Sequence, residues 1–423
     1  MQVFKFGGAS VKDAQSVRNI GKIIKKFPNQ KILIVVSAMG KMTNKFEELV
    51  AALLRSDEAM RISILSEIHE YHLNIAHDLF AKDIEDSIQS FNEIFLDLVD
   101  LCKIADKLKP ALAYDAVVPF GEFLSSALIA DYLGTLQDCA FLDASSVIKT
   151  DDKFKQATVD MELTELNIRK EVLPAFSESN LIVTQGFIGS TNKNLRTTLG
   201  REGSDYTGAI FSYCLNAKSL TIWKDVDGMF NADPRFFPKA QKIDVVSYKD
   251  AIELSYYGAS VIHPKTIQPL QNKNIPLFVK SFLYPHKKGT IIQKNAYYSI
   301  PCYIVKSNQV LVSLSSKNFS FIVERHLSHI FDIFDRLDMK MNIMQNSALN
   351  FSALFDANQF DESSILEHFS GDYLVRYNTN LELITVRHYN QEIITELTQG
   401  KEILLEQKTR ETVRFVVRDL KPL

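Results

Sequence analysis

Apolar and polar positions along this chain follow two periods. Short continuous apolar runs, Lys31 to Ser37 (KILIVVS), Leu181 to Gly189 (LIVTQGFIG), Leu220 to Trp223 and Ile275 to Ser281, are rich in β-branched residues. They read as strands of a parallel sheet covered on both faces, with the last of them closing the α/β part. A first run, Gln2 to Phe6, carries Lys5 in its middle and breaks into Gly7-Gly8. Between the runs lie stripes at three- and four-residue spacing. Val17, Ile20, Ile23 and Ile24 form one, and a glycine-free stretch over 45–109 with Ile75, Leu79, Ile88, Phe91 and Leu98 forms another. Strand, turn, helix, strand is the rhythm of an α/β domain, whose ligands collect beyond the carboxyl ends of the strands. The turns at Gly7-Gly8 and at Ser37 to Thr43 are therefore expected on one edge of the sheet.

From about Tyr297 the pattern changes to weaker α+β units. Strand 310–314, helix 322–337, strands 339–344 and 350–355, helix 364–369 and strand 373–377 compose a ferredoxin-like set. A second, shorter set has strands 381–386, 403–406 and 413–417 and a helix at 392–397. The expected division is 1–292 and 293–423, the latter as units of roughly 302–378 and 379–423.

Composition narrows the function classes. With 423 residues, 46% hydrophobic and 23% charged, the chain reads as globular with two or three domains. A net charge of −3 gives no electrostatic case for nucleic acid or an anionic membrane. No apolar run is expected to span a bilayer, and no charged leader precedes the first strand, so a cytoplasmic location is expected. Cys102, Cys139, Cys214 and Cys302 lack C-x-x-C spacing and read as buried free thiols. His69, His72 and His77 spread around their helix among Glu67, Glu70 and Asp78, which suggests a solvated face rather than a metal site.

Four segments carry candidate chemistry. A glycine turn ahead of a helix N-terminus, with Lys5 beside it, suits an anion; a tight turn with a surface lysine is the alternative. Neither a Walker P-loop nor a dinucleotide-binding glycine fingerprint is present. Glu122 opens a helix after Pro119-Phe120-Gly121, where it serves either the helix dipole or a substrate cation. Thr197 to Gly208 (TTLGREGSDYTG) sets Arg201, a fork for carboxylates, beside Gly203 and Ser204 with uncovered N–H groups. Asp205 is placed to cap the helix that follows. Lys224-Asp225-Val226-Asp227-Gly228 ends a further strand, in either a ligand-binding or an Asx-stabilised turn.

In order along the chain these segments resemble the aspartate kinases of the amino-acid-kinase superfamily. The matches are KFGGASV (Lys5 to Val11), GEFLS from Gly121, TLGREGSDYT, IWKDVDGMFNADPR (Ile222 to Arg235) and AIELSYYGASVIHP (Ala251 to Pro264). The resemblance implies an amino-acid-kinase fold, a mainly parallel open α/β sheet with helices on both faces, followed by paired ACT-type modules. It also implies transfer of the γ-phosphoryl of Mg²⁺-bound ATP to the β-carboxylate of L-aspartate, the first step toward lysine, threonine and methionine. Lys5, Arg201 and Asp205 are the implied catalytic residues. Lys5, Gly7, Gly8, Ser10, Lys224, Asp225, Phe230, Arg235 and Ser260 are the implied nucleotide contacts, with Lys224 and Asp225 near ribose and base. Ser37, Thr43, Glu122, Arg201, Gly203 and Ser204 are the implied aspartate contacts, Glu122 meeting the ammonium. No resident protein-bound metal is implied. An amino-acid effector at the ACT region, a homodimer, and strand exchange that sends Cys302 to Lys306 to the second module also follow from it. Glu202 stands where the family has glycine, Phe230 where tyrosine is common, and Ser260 where lysine or glutamine often contacts nucleotide. The alternatives are another kinase of the superfamily, or a kinase-derived amino-acid sensor without turnover.

Overall fold

The computed structural model describes residues 1–80, 88–234, 237–258, 262–296 and 300–420. The chain divides into two compact units. The first takes Met1–Met229, Lys242–Ser255 and Ser260–Tyr298; the second takes Phe230–Gln241, Tyr256–Ala259 and Ser299–Leu423.

The first unit is built on β1 (Gln2–Phe6), β2 (Ile32–Val36), β3 (Cys139–Leu142), β4 (Leu181–Gln185), β7 (Leu220–Lys224), β10 (Val245–Ser247), β11 (Leu277–Ser281) and β12 (Thr290–Gln293). Their order in the sheet is β10-β12-β11-β7-β1-β2-β4-β3. Among the described residues only the β11–β12 pair is antiparallel, so the run ending at Ser281 is not the last strand, as β12 turns back beside it. All of β2, Ile-Leu-Ile-Val-Val, is buried, as a strand covered on both faces must be. Successive strands move outward from β1 to opposite sides, toward β2 in one direction and β7 in the other. That reversal creates a crevice at the carboxyl ends of β1, β2 and β7.

Helices fill both faces. In Ala14–Ile24 the Asp13 carboxylate accepts from the Ser16 N–H at 2.7 Å, and Val17, Ile20, Ile23 and Ile24 are buried. This cap satisfies the helix end that was expected to receive an anion. The helix Phe120–Gly134 is buried almost all round. Contrary to expectation, the stretch Pro110–Gly134 is long and apolar enough to cross a membrane by composition. It is a core segment here, with 83% of its most apolar window buried. His72 also departs from the expected solvated face. It is fully buried in Glu58–Phe80, its Nδ1 donates to the Ile68 carbonyl at 2.8 Å, and burial pushes its pKa down to about 4. The run Leu181 to Gly189 splits, because β4 stops at Gln185 and β5 (Ile188–Ser190) forms a hairpin with β6 (Arg196–Thr198). Two further short strands are β8 (Met229–Phe230) and β9 (Lys242–Ile243).

The second unit carries one antiparallel sheet. Its strands are β13 (Cys302–Ser316), β14 (Ile343–Asn346), β15 (Asn350–Asp356), β16 (Tyr373–Arg387), β17 (Lys401–Lys408) and β18 (Thr412–Asp419), ordered β14-β15-β13-β16-β18-β17. The expected strands 373–377 and 381–386 are one continuous β16, and 302–306 and 310–314 are one continuous β13. Ser313–Ser316 pairs with Tyr373–Arg376, whereas Cys302–Lys306 pairs with Leu383–Arg387, with register shifts between Lys306 and Leu311. Two ferredoxin-like strand sets are thus fused edge to edge. The second set takes its fourth strand from Cys302–Lys306, ahead of the first set. Helices Glu324–Arg336, Glu362–Phe369 and Gln391–Thr398 connect the strands. The strand expected at 339–344 forms a few residues later, after a turn with Asp338 at φ 51°.

Candidate active site

Strand alternation decides where Lys5 points. Phe4 and Phe6 turn to one face of β1 and pack on Trp223, Phe6 stacked at 6.0 Å and Phe4 edge-on at 5.8 Å. Lys5 turns to the other face, against the helix Gly203–Cys214, where a Cβ on Gly208 would lie 3.6 Å from that of Lys5. There Lys5 Nζ is 2.6 Å from Asp205 Oδ1, and Lys224 Nζ, at the end of β7, is 3.2 Å from Oδ2. Burial favours a protonated Asp205, but the two lysines outweigh it and hold the carboxyl below its usual range. Asp205 is therefore not the helix cap. The helix begins two residues earlier, at Gly203, with Glu202 in the cap position.

These groups line a cavity of about 600 Å³ in the sheet crevice. Of the expected residues, Lys5, Gly8, Ser37, Thr43, Glu122, Arg201, Gly203, Ser204, Asp205 and Lys224 line it. Lys224 thereby stands with Lys5 and Asp205. Gly7 and Ser10 are not in the lining. The Ser10 hydroxyl instead donates to the Trp223 carbonyl at 3.3 Å and ties the glycine turn to β7. Asp225 is exposed and Phe230 is half-buried in β8, and neither lines the cavity. Arg235 and Ser260 lie outside the described residues. Gly8 is needed for close approach: a Cβ there would sit 2.8 Å from the Gly40 carbonyl oxygen and 2.9 Å from that of Ala38.

Glu122 is a strongly perturbed acid of the cavity. Only 3% of it is exposed. Oε1 accepts from the Ala38 N–H at 3.1 Å, while Oε2 has no hydrogen-bond partner. Burial pushes its carboxyl up to about 8, and the Ala38 N–H and the Lys5 charge offset this only in part. An orphaned buried carboxylate oxygen facing a cavity suits a ligand cation with N–H donors.

Glu202 has φ 55°, the left-handed region where glycine is favoured and other residues lose roughly 1–2 kcal/mol. The residue is half-buried. Glu202 lines the cavity, and Oε2 is buried without a partner. Arg201 beside it is exposed and, among the described residues, has no carboxylate in ion-pair contact.

Sequence reasoning missed one wall. Tyr114, Lys155 and Gln156 also line the cavity. Buried Asp115 organises them, accepting from the Lys155 N–H at 3.0 Å on both oxygens, from the Thr198 N–H at 2.9 Å and from the Thr198 hydroxyl at 2.8 Å. The one visible signal was the polar run Thr150-Asp151-Asp152-Lys153 between two apolar stretches.

Residues 1–281 match the model of the amino acid kinase family. The chain is 32% identical to the lysine-sensitive aspartokinase 3 of Escherichia coli over 359 residues, 84% of this chain and 78% of that protein. The chain belongs to the aspartokinases of the amino acid kinase family. Within that family it is 30% identical to the chloroplastic aspartokinase 3 of Arabidopsis thaliana over 86% of its own length, and it spans 66% of that relative. Among solved structures, E. coli aspartokinase III in complex with lysine and aspartate (T-state) superposes with a TM-score of 0.84 at 26% identity. That match covers 98% of this chain and 95% of the other. The same enzyme in complex with aspartate and ADP (R-state) gives 0.83 at 26% identity, over 99% and 96%. An aspartokinase architecture accounts for both sheets, the parallel one as the amino-acid-kinase fold and the antiparallel one as ACT-type modules.

Proposed function

We propose that this aspartokinase transfers the γ-phosphoryl group of ATP to the β-carboxylate of L-aspartate, giving 4-phospho-L-aspartate and ADP. The observation that carries the reading is one cavity holding two kinds of site. Lys5 and Lys224 converge at one place, and the orphaned oxygen of Glu122 waits for a cation at another. An amino acid with a second carboxylate, together with a nucleotide triphosphate, uses both.

The chemistry asks little of a base. A free β-carboxylate titrates near pH ~4 and is already ionised at neutral pH. One of its oxygens forms a bond to the γ-phosphorus, the bond from that phosphorus to the β,γ-bridging oxygen breaks, and ADP leaves with the electron pair. No proton moves. Lys5, held in line by Asp205, neutralises charge on the transferring group, and Lys224 adds a second positive charge. Glu122 takes the substrate ammonium, Arg201 a substrate carboxylate, and Ser37, Thr43, Gly203 and Ser204 shape the remaining wall. Among the described residues no three His, Cys, Asp or Glu side chains converge as a metal cage, and both oxygens of Asp205 already face lysines. Mg²⁺ would enter with ATP, held by its phosphate oxygens, and would shield their charge.

The aspartate-bound and ADP-bound forms of the E. coli relative support this assignment, and its lysine-bound form supports an amino-acid effector, for which the ACT-type sheet is the proposed seat. A homodimer in the cytoplasm completes the proposal. The test is ADP release with Mg-ATP and aspartate, glutamate or no acceptor, each with and without lysine or threonine. Aspartate-dependent release supports the reading. Binding of aspartate without turnover transfers the assignment to an amino-acid sensor.

A further inference from the structure

We propose that Lys155 is a second carboxylate-binding cation of the acceptor site, acting beside Arg201 on the substrate carboxylate that is not phosphorylated. The inference rests on the aspartate-kinase reading above. Lys155 has φ 72°, a left-handed backbone that a glycine would occupy without steric conflict. The conformation is imposed by its surroundings. Both oxygens of buried Asp115 hold the Lys155 N–H, the Ala157 N–H donates to the Thr198 carbonyl at 3.0 Å, and a Cβ on Gly200 would meet the Lys155 carbonyl oxygen at 3.3 Å. The loop bearing Lys155 is thus fastened to the strand that leads into Gly200 and Arg201. A long cationic side chain stands at a position whose backbone disfavours any side chain.

The ammonium is also placed for a ligand. Lys155 lines the cavity, and its Nζ rests 4.7 Å from the centroid of the Tyr114 ring. Tyr114 is itself fixed, its hydroxyl donating to Glu47 Oε1 at 2.8 Å. Among the described residues no carboxylate lies within ion-pair distance of Lys155 Nζ, whereas Lys5 and Lys224 share Asp205. A cation on a neutral aromatic face keeps its charge available and loses little when a carboxylate draws it away. With Glu202 adding a negative charge to the same lining, Arg201 alone faces an opposing carboxylate; Lys155 restores the balance that a dicarboxylate needs.

The test uses steady-state kinetics on the full chain with Lys155→Met, Lys155→Arg and Lys155→Gly. The methionine variant keeps bulk without charge, and the glycine variant relieves the backbone. The expected result is a KM for aspartate about tenfold higher in the methionine and glycine variants, the loss of one charge-assisted contact, with the KM for ATP in place. Arginine restores most of the affinity, and the glycine variant melts no lower than wild type. A KM for aspartate within about twofold of wild type in Lys155→Met overturns the inference while leaving the kinase reading intact. So does an equal KM rise in the methionine and arginine variants accompanied by a lower Tm, which is the mark of a structural role. Absence of aspartate-dependent turnover in the wild type removes the kinase reading, and this inference with it.

Discussion

Lys5 reaches Asp205 at 2.6 Å, with both side chains almost cut off from solvent. Neither residue is legible as a pair in the sequence, since they lie in segments far apart along the chain. Strand alternation and the helix Gly203–Cys214 bring them together. Lys5→Met removes a charge from the transferring phosphoryl group and is expected to lower kcat by roughly 10²–10³-fold, about 3–4 kcal/mol. Rapid-quench measurement of ADP formation checks this; turnover within about tenfold of wild type would sink the assignment of Lys5.

Glu122 sets a pH dependence. Burial pushes its carboxyl up to about 8, and only the ionised form holds an ammonium group. The kcat/KM for aspartate is expected to rise with pH, at a slope near one, and to level above about pH 8. Glu122→Gln flattens that limb.

The same shift acts on stability with the opposite sense. The folded, ligand-free chain holds a proton on Glu122 that the unfolded chain gives up near the ordinary value of 4.5. Stability is therefore lost as pH rises from about 4.5 to about 8. Thermal melts of the ligand-free protein should fall across that window, and Glu122→Gln should melt higher than wild type at pH 8.

Glu202 occupies a left-handed position with a buried, unpartnered oxygen. Glu202→Gly relieves roughly 1–2 kcal/mol of strain and returns part of it as unfolded-chain entropy, a net gain of about 0.5 kcal/mol. It also removes a negative charge beside Arg201. Denaturant titration should show the gain, and the KM for aspartate should fall.

Gly8→Ala places a methyl against two backbone carbonyls of the Ala38–Gly40 turn. That turn supplies the N–H that holds Glu122. A stability loss of about 1–3 kcal/mol is expected, together with a raised KM for aspartate. A crystal structure with the turn unmoved and unaltered kinetics would refute the link.

The legible parts of the site share one physical cause. Ser37, Glu122, Arg201 and Lys224 follow buried apolar runs or open helices, and the ends of such elements have to meet at one sheet edge. Hidden were contacts that depend on tertiary burial. Asp115, adjacent to Tyr114 in an unremarkable helix, gains its role only when Thr198 and Lys155 close over it. His72 looked solvated because its acidic neighbours are, yet it turns inward. Glu202 stood out by its side chain, and the structure supplies the reason in its backbone angle. Periodicity located the halves of β13 and β16 but could not show that each is one strand, because a bulge leaves no signature in alternation.

Those two long strands bear on how the second unit comes into being. Cys302–Lys306 is synthesised before the first ferredoxin-like set, yet its partners, Leu383–Arg387 and through them β18, arrive last. Neither set can close alone, so the 302–420 region should fold and melt in a single transition, with slow, non-local pairing. A nick at the 306–309 bulge would leave each half of β13 held to β16 by its own ladder alone and so weaken the coupling between the two sets.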